Sequence, residues 1–168
     1  VQSALGQVTQ AFNNLDQAAP AEHADLRAYY QSHFAAEYTR RSQKNAPTSA
    51  FLGRLSAAGL QLQLDYIGLN SHPLGSKHLL NESAKNHDYN RSHGKLHPKL
   101  RHQLEAFGYY DIFIVDNASG NVVYTVFKEL DFATNLTTGS WANTGLAQAF
   151  KAAKNIPNGK TALTDFAP

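Results

Sequence analysis

FGYYDIFIVDNASGNVVYTVF, residues 107–127, is the stretch on which the fold turns. Before it the apolar residues recur at helical spacing, and after Gly108 they run at an extended period. Tyr110, Ile112, Phe113, Ile114 and Val115 form one strand; Val122, Val123, Tyr124, Val126 and Phe127 form its partner. Asn117-Ala-Ser-Gly120 between them reads as a hairpin turn, with glycine placed where the backbone needs a positive φ. Side chains alternate along a strand, so Tyr110, Ile112 and Ile114 share one face while Asp111, Phe113 and Val115 share the other. An antiparallel hairpin is therefore expected in the second half of the chain.

Upstream, the pattern is helical. Val1, Leu5, Val8, Phe12 and Leu15 recur at alternating four- and three-residue steps among Gln, Asn, Ser and Thr. Such a heptad-like seam fits either a helix packed along a second copy of the chain or one lying on its own core. Pro20 ends or kinks it, having no amide donor and disfavouring helix in the residue before it. Residues 21–42 place Leu26, Tyr30, Phe34 and Tyr38 on one face of a second helix. After a polar loop at 43–47, Thr48 or Ser49 caps a third, carrying Phe51, Leu52, Leu55, Leu62 and Tyr66 to about Asn70. Residues 71–90, rich in His, Asn, Ser, Gly and Pro, read as a long ordered loop, and a fourth helix spans 90–107.

Downstream of the hairpin, 128–140 is a loop and Asn143 or Thr144 caps a helix through Leu146, Ala149 and Phe150. Asn158-Gly159 then turns into a third strand over 160–166. The expected architecture is α+β in one domain, 1–168: residues 1–107 mainly helical, residues 108–168 a sheet packed on them.

Composition narrows the function classes. A chain of 168 residues, 42% hydrophobic and 17% charged, suits one globular domain. Fifteen basic against thirteen acidic residues leave a formal +2, which gives no reason to expect a nucleic-acid or anionic-membrane partner. Without cysteine there is no disulfide framework and no thiolate chemistry. Methionine is absent even at the start, so the chain is expected to be cut from a longer one. No apolar run approaches the ~20 residues that span a bilayer, which puts any membrane anchor outside it. A phosphate-cradling glycine loop and a nucleophile elbow are also missing, so neither an enzyme nor a cofactor is expected.

Several residues stand out on chemical grounds. Asp111 interrupts an apolar strand, where a carboxylate is costly to bury unless paired; it either meets a ligand or bonds to nearby backbone. Lys128, Glu129 and Asp131 follow the second strand directly, at a pocket rim or as an internal ion-pair group. Trp141 either lids a pocket or packs under its own loop. Of eight histidines, His87, His93, His97 and His102 cluster, and His93 and His97 share a helix face as zinc ligands do. The spacing is a weak signal, since Gly94 stands where the zinc-protease signature has glutamate.

A set of linked motifs then carries a family resemblance. Tyr66-Ile-Gly-Leu-Asn70 with His72-Pro-Leu-Gly-Ser-Lys77, where His72 interrupts the usual Asn-to-Pro spacing, is followed by Tyr89, His93, His97-Pro98 and Arg101. Phe107-Gly-Tyr-Tyr-Asp-Ile-Phe113, Val123-Tyr-Thr-Val-Phe-Lys-Glu-Leu-Asp-Phe132 and Thr164-Asp-Phe-Ala-Pro168 complete the set. Together they resemble the periplasmic Cache/PAS-like (PDC-type) sensor domain of bacterial methyl-accepting chemotaxis proteins. The resemblance implies a PAS-like antiparallel sheet, truncated here at its C-terminal strands, behind long N-terminal helices. It implies a periplasmic domain of an inner-membrane receptor that binds a small polar metabolite, dimerises through its N-terminal helix and signals to cytoplasmic proteins. Tyr66, Asn70, Lys77, Tyr110, Asp111, Tyr124, Lys128, Asp131, Trp141 and Asp165 are the expected ligand contacts, Asp165 because an acidic residue there often meets a ligand's amino group in such sensors. The competing expectation is a metal-binding sensor or metal-dependent enzyme built on His87, His93 and His97.

Overall fold

The computed structural model describes residues 3–17 and 23–165. Val1, Pro20 and Phe166, which carry expectations above, lie outside these residues.

Helix α1 (Ala4–Asp16) starts at Ser3, whose hydroxyl accepts the Gly6 amide at 3.1 Å. Its seam packs inward: Val8, Ala11 and Phe12 are buried in the chain's own core, while Leu5 is left about half exposed. The second helical stretch begins at α2 (Ala24–Tyr29), passes through a π-helical turn at Tyr30–Phe34 and continues as α3 (Ala35–Ser42). The expected third helix is divided in two. Neither Thr48 nor Ser49 caps α4 (Thr48–Leu52), which ends at Gly53; Ser56 starts α5 (Ala57–Gln63) by accepting the Gly59 amide. A second π-helical turn, Leu64–Gly68, then leads to Asn70.

Helix α6 (Asp88–Phe107) begins two residues earlier than its periodicity predicts, because the His87 ring supplies the cap, its Nδ1 accepting the Asn90 amide at 3.0 Å. Gly108, at φ 68°, ends it in the left-handed conformation that glycine adopts without a Cβ penalty. The hairpin follows as β1 (Phe113–Val115) and β2 (Val122–Thr125), antiparallel, with Gly120 at φ 79° as the turn requires. Val115 faces Val122 and Ile114 faces Tyr124, so Val123 is an extra residue on β2, a bulge that turns Val123 and Tyr124 both into the larger core.

The third strand is not formed. Residues 160–165 make no ladder and are exposed, so among the described residues the sheet has two strands. Helix α7 (Gly145–Lys154), capped by Thr144, closes the described architecture. The hairpin divides two apolar clusters, as the alternation predicts. Ile112 and Ile114 lie with Val8, Phe12, Leu62, Tyr66 and Tyr124 on the side of α1, α5 and α6. Phe113 and Val115 lie with Val122, Leu136 and Ala147 on the side of α7. The fold is thus α+β, and no helix among the described residues is long and apolar enough to cross a membrane.

Candidate functional site

Three of the expected contacts, Tyr66, Tyr124 and Lys128, come together inside the larger core. Tyr66 comes from the π-helical turn after α5, Tyr124 from β2, and Lys128 from the turn that follows β2. Lys128 has φ 59° and Ala133 φ 61°, so two non-glycine residues in the left-handed region bracket this turn. Each costs about 1 kcal/mol. The Lys128 side chain is buried, and its ammonium donates to the Thr125 carbonyl. Its Nζ lies 4.2 Å from the centroid of the Tyr124 ring, 5.0 Å from Phe132 and 5.8 Å from Tyr66.

No carboxylate among the described residues reaches this ammonium at ion-pair distance. Ring faces offset part of the lost hydration, but a cation so enclosed is disfavoured. Burial accordingly draws the Lys128 amine down to about 7, against a weaker upward pull from Asp111.

Two histidines of α6 complete the enclosure, their rings stacked 4.5 Å apart. His97 Nε2 lies 2.7 Å from the His78 carbonyl, which can only accept, so Nε2 carries the proton and Nδ1 accepts from the Tyr124 hydroxyl at 2.6 Å. His93 Nδ1 likewise donates to the Asn81 carbonyl at 2.7 Å, leaving a buried Nε2 lone pair with no partner. Burial, then the Lys128 charge, pushes His97 down to about 3 and His93 well below its usual value. Both rings are neutral at pH 7. Three further buried tyrosines also donate: Tyr66 to Asn90 Oδ1, Tyr89 to the Val123 carbonyl and Tyr30 to Gln63 Oε1.

The remaining expected contacts are placed elsewhere. Asn70 and Lys77 close the loop between them, the amide of Asn70 donating to the Lys77 carbonyl and the ammonium of Lys77 to the Asn70 carbonyl. Asp111 bonds to backbone: its Oδ1 accepts the amides of Ile112, Val126 and Phe127, fixing the end of β2. Trp141 packs under its loop, stacked on Phe51 and donating to the Leu130 carbonyl at 3.2 Å. Asp165 is exposed, in the segment after Gly159. Asp131 has a buried Oδ1 without a partner, and burial followed by the charges of Glu129 and Asp111 raises it to about 7. Tyr110 is 84% exposed, beside Tyr109, Phe127, Glu129 and Gly75, with which it lines a cleft of about 280 Å³.

The turn after β2 therefore has two sides: Lys128 faces the core and Glu129 faces the cleft. The metal expectation fares differently, because three of the four ring nitrogens of His93 and His97 are engaged in protein hydrogen bonds. His87 is engaged too, its Nε2 2.9 Å from Asp65 Oδ2. Among the described residues no group of three His, Cys, Asp or Glu side chains is arranged to hold a metal ion. The bulge that turns Tyr124 inward and the partnerless His93 nitrogen leave no mark in the sequence, whose signal here is that His93 and His97 share a helix face. Comparison with family models, with curated proteins and with solved structures finds no match to this chain.

Proposed function

We propose that the chain is the extracytoplasmic small-molecule sensing domain of a transmembrane chemotaxis receptor, of the Cache/PAS-like kind that its motifs resemble, and that it is not an enzyme. The observation that carries this reading is the turn at 128–133: a caged lysine without a counter-charge, between two left-handed non-glycine residues. Strain and an uncompensated charge persist only where the surroundings hold them, and they concentrate at binding and switching segments. Helix α1 lies against β2, the strand that runs into this turn, so a change in the turn has a short path to the N-terminal helix.

A non-catalytic role agrees with the chemistry of the cluster. Its histidines are neutral, internally bonded and closed to solvent, so no substrate has access to them in this arrangement. In the full receptor the domain would be periplasmic, with α1 leading to the membrane and signal passing to cytoplasmic partners. Self-association in that setting falls to surfaces other than Val8 and Phe12, which this core occupies.

Thermal-shift screening of the purified chain against amino acids, organic acids and amines tests the reading, together with a chimera carrying this domain in place of a chemoreceptor's own. At least one compound is expected to raise the melting temperature and to elicit a response through the chimera, since a ligand selective for the folded state stabilises it. A panel without effect and a silent chimera would refute the proposal.

A further inference from the structure

We propose that the cleft lined by Tyr109, Tyr110, Phe127 and Glu129 binds a small organic cation of the alkylammonium class. This assignment gives the sensing function a ligand class and rests on that reading.

The walls are aromatic and open. Tyr110 is 84% exposed and Tyr109 50%, and Phe107, 67% exposed, stacks on Tyr109 at 5.6 Å between centroids. Three neighbouring aromatic side chains in water, two of which line a cleft of about 280 Å³, are more than the scattered exposure that a surface normally carries.

The charge around them is mainly negative, with Arg41 the opposing cation. Glu129 stands in the wall, and Asp131 keeps a buried carboxylate oxygen without a partner on the same turn. The charges of Glu129, Asp131 and Asp111 all act on the Tyr110 hydroxyl, holding its proton more firmly. Of the described cations near these groups, Lys128 faces the core, and Arg41 is held by Glu37, 2.5 Å from its Nε. Neither Glu129 nor Asp131 has a cationic side chain within ion-pair distance among the described residues.

Ring faces beside a carboxylate are the chemistry that recognises alkylammonium groups: the π faces take the diffuse charge and the methyl surface, and the carboxylate adds the long-range attraction. An anion would be repelled. A bare metal ion would lack the convergent oxygen ligands it needs, since the walls supply one carboxylate and three rings.

The probe is choline, with its neutral isostere 3,3-dimethyl-1-butanol as the comparison, titrated into the 168-residue chain and followed by calorimetry and tyrosine NMR shifts. Saturable choline binding is expected, with the alcohol at least tenfold weaker. Glu129→Gln and Tyr110→Ala should each weaken choline about fivefold to tenfold while leaving the melting temperature unchanged, as both side chains are exposed. Equal binding of the alcohol, unaltered binding in both variants, or no saturable binding would each overturn the site. If an organic acid stabilises the protein and choline does not bind, the cationic class falls and the sensor reading stands. If choline binds as described but the chimera ignores it, the site stands and the sensor reading falls.

Discussion

Lys128 sets the energetics of the candidate site. Its amine releases a proton at about 7 when folded and near 10.5 when unfolded, so across that interval the unfolded chain holds more protons. Stability must therefore rise with pH between about 7 and 10, by a few kcal/mol at about 1.4 kcal/mol per unit of displacement. Asp131, displaced upward, acts with opposite sign but finishes titrating near 7. The buried tyrosines, whose protons burial retains, erode stability only above their ordinary 10. Lys77, lowered by burial, adds to the rise in the same sense. Lys128→Met removes the charge at similar volume, and the variant is expected to be more stable than wild type at pH 7 and to lose most of the slope. Urea midpoints at pH 7, 8, 9 and 9.5 measure both, and parallel slopes would show that the ammonium is not the responsible group.

The sequence made Lys128 visible as a charge following a strand, but not its direction. The three charges at 128, 129 and 131 read equally as a rim or as an ion-pair group, and the structure makes no ion pair among them. The missing information lies in the positive φ at Lys128, which turns its side chain under Tyr124, and in the bulge at Val123, which fixes where Tyr124 points. Neither is encoded by a glycine or a proline, so neither leaves a mark in composition or period. Gly120 does leave such a mark, and the hairpin turn was legible for that reason.

At the scale of elements, one contact fixes the helices to the turn. Gly59 in α5 lies so close to the turn after β2 that a Cβ there would stand 2.7 Å from the Ala133 carbonyl oxygen. One residue of the helix pins the same segment twice: Gln63 Nε2 donates to the carbonyls of Phe132, at 2.7 Å, and Leu130, at 3.2 Å. Gly59→Ala improves the intrinsic helix propensity of α5 by about 1 kcal/mol, yet it must force α5 away from backbone that cannot flex like a side chain. The steric effect wins, and a net loss of about 1–3 kcal/mol is expected in urea unfolding, with disturbed amide shifts at Leu130 and Phe132. A stability equal to or above wild type would mean that the turn is compliant and does not transmit strain to α5. Periodicity located α6 to within two residues because its apolar face is long. It joined α4 to α5 because Phe51, Leu52 and Leu55 continue the pattern across Gly53, and a single glycine in a helical pattern is a weak stop.

At the scale of the molecule, the two apolar clusters are unequal, and this sets the order in which the structure opens. The larger joins α1, α2, α5, α6 and the hairpin around Phe12, Leu62, Tyr66, Tyr89 and Tyr124. The smaller has only Val122, Leu136 and Ala147 fully inside, with Phe113, Val115, Trp141, Leu146 and Phe150 packed on it. Helix α7 depends on the smaller one: Ala147 is its sole fully buried residue, and residues 151–165 after its midpoint are almost wholly exposed. Apolar burial stabilises at about 25 cal/mol per Å², so an element with one buried alanine and a few half-buried side chains opens at a fraction of the global free energy. Native-state hydrogen exchange should therefore show amides of α7 exchanging through a local opening, insensitive to low denaturant. Amides at Leu96 and Leu104 in α6 should exchange only by global unfolding, with the full denaturant slope. Ala147→Gly should accelerate exchange throughout α7 and leave α6 protection nearly unchanged, because the hairpin separates the two clusters. If α7 and α6 instead share one opening free energy, the smaller cluster is cooperative with the larger, and a ligand at either side of the turn after β2 would be felt by the whole domain at once.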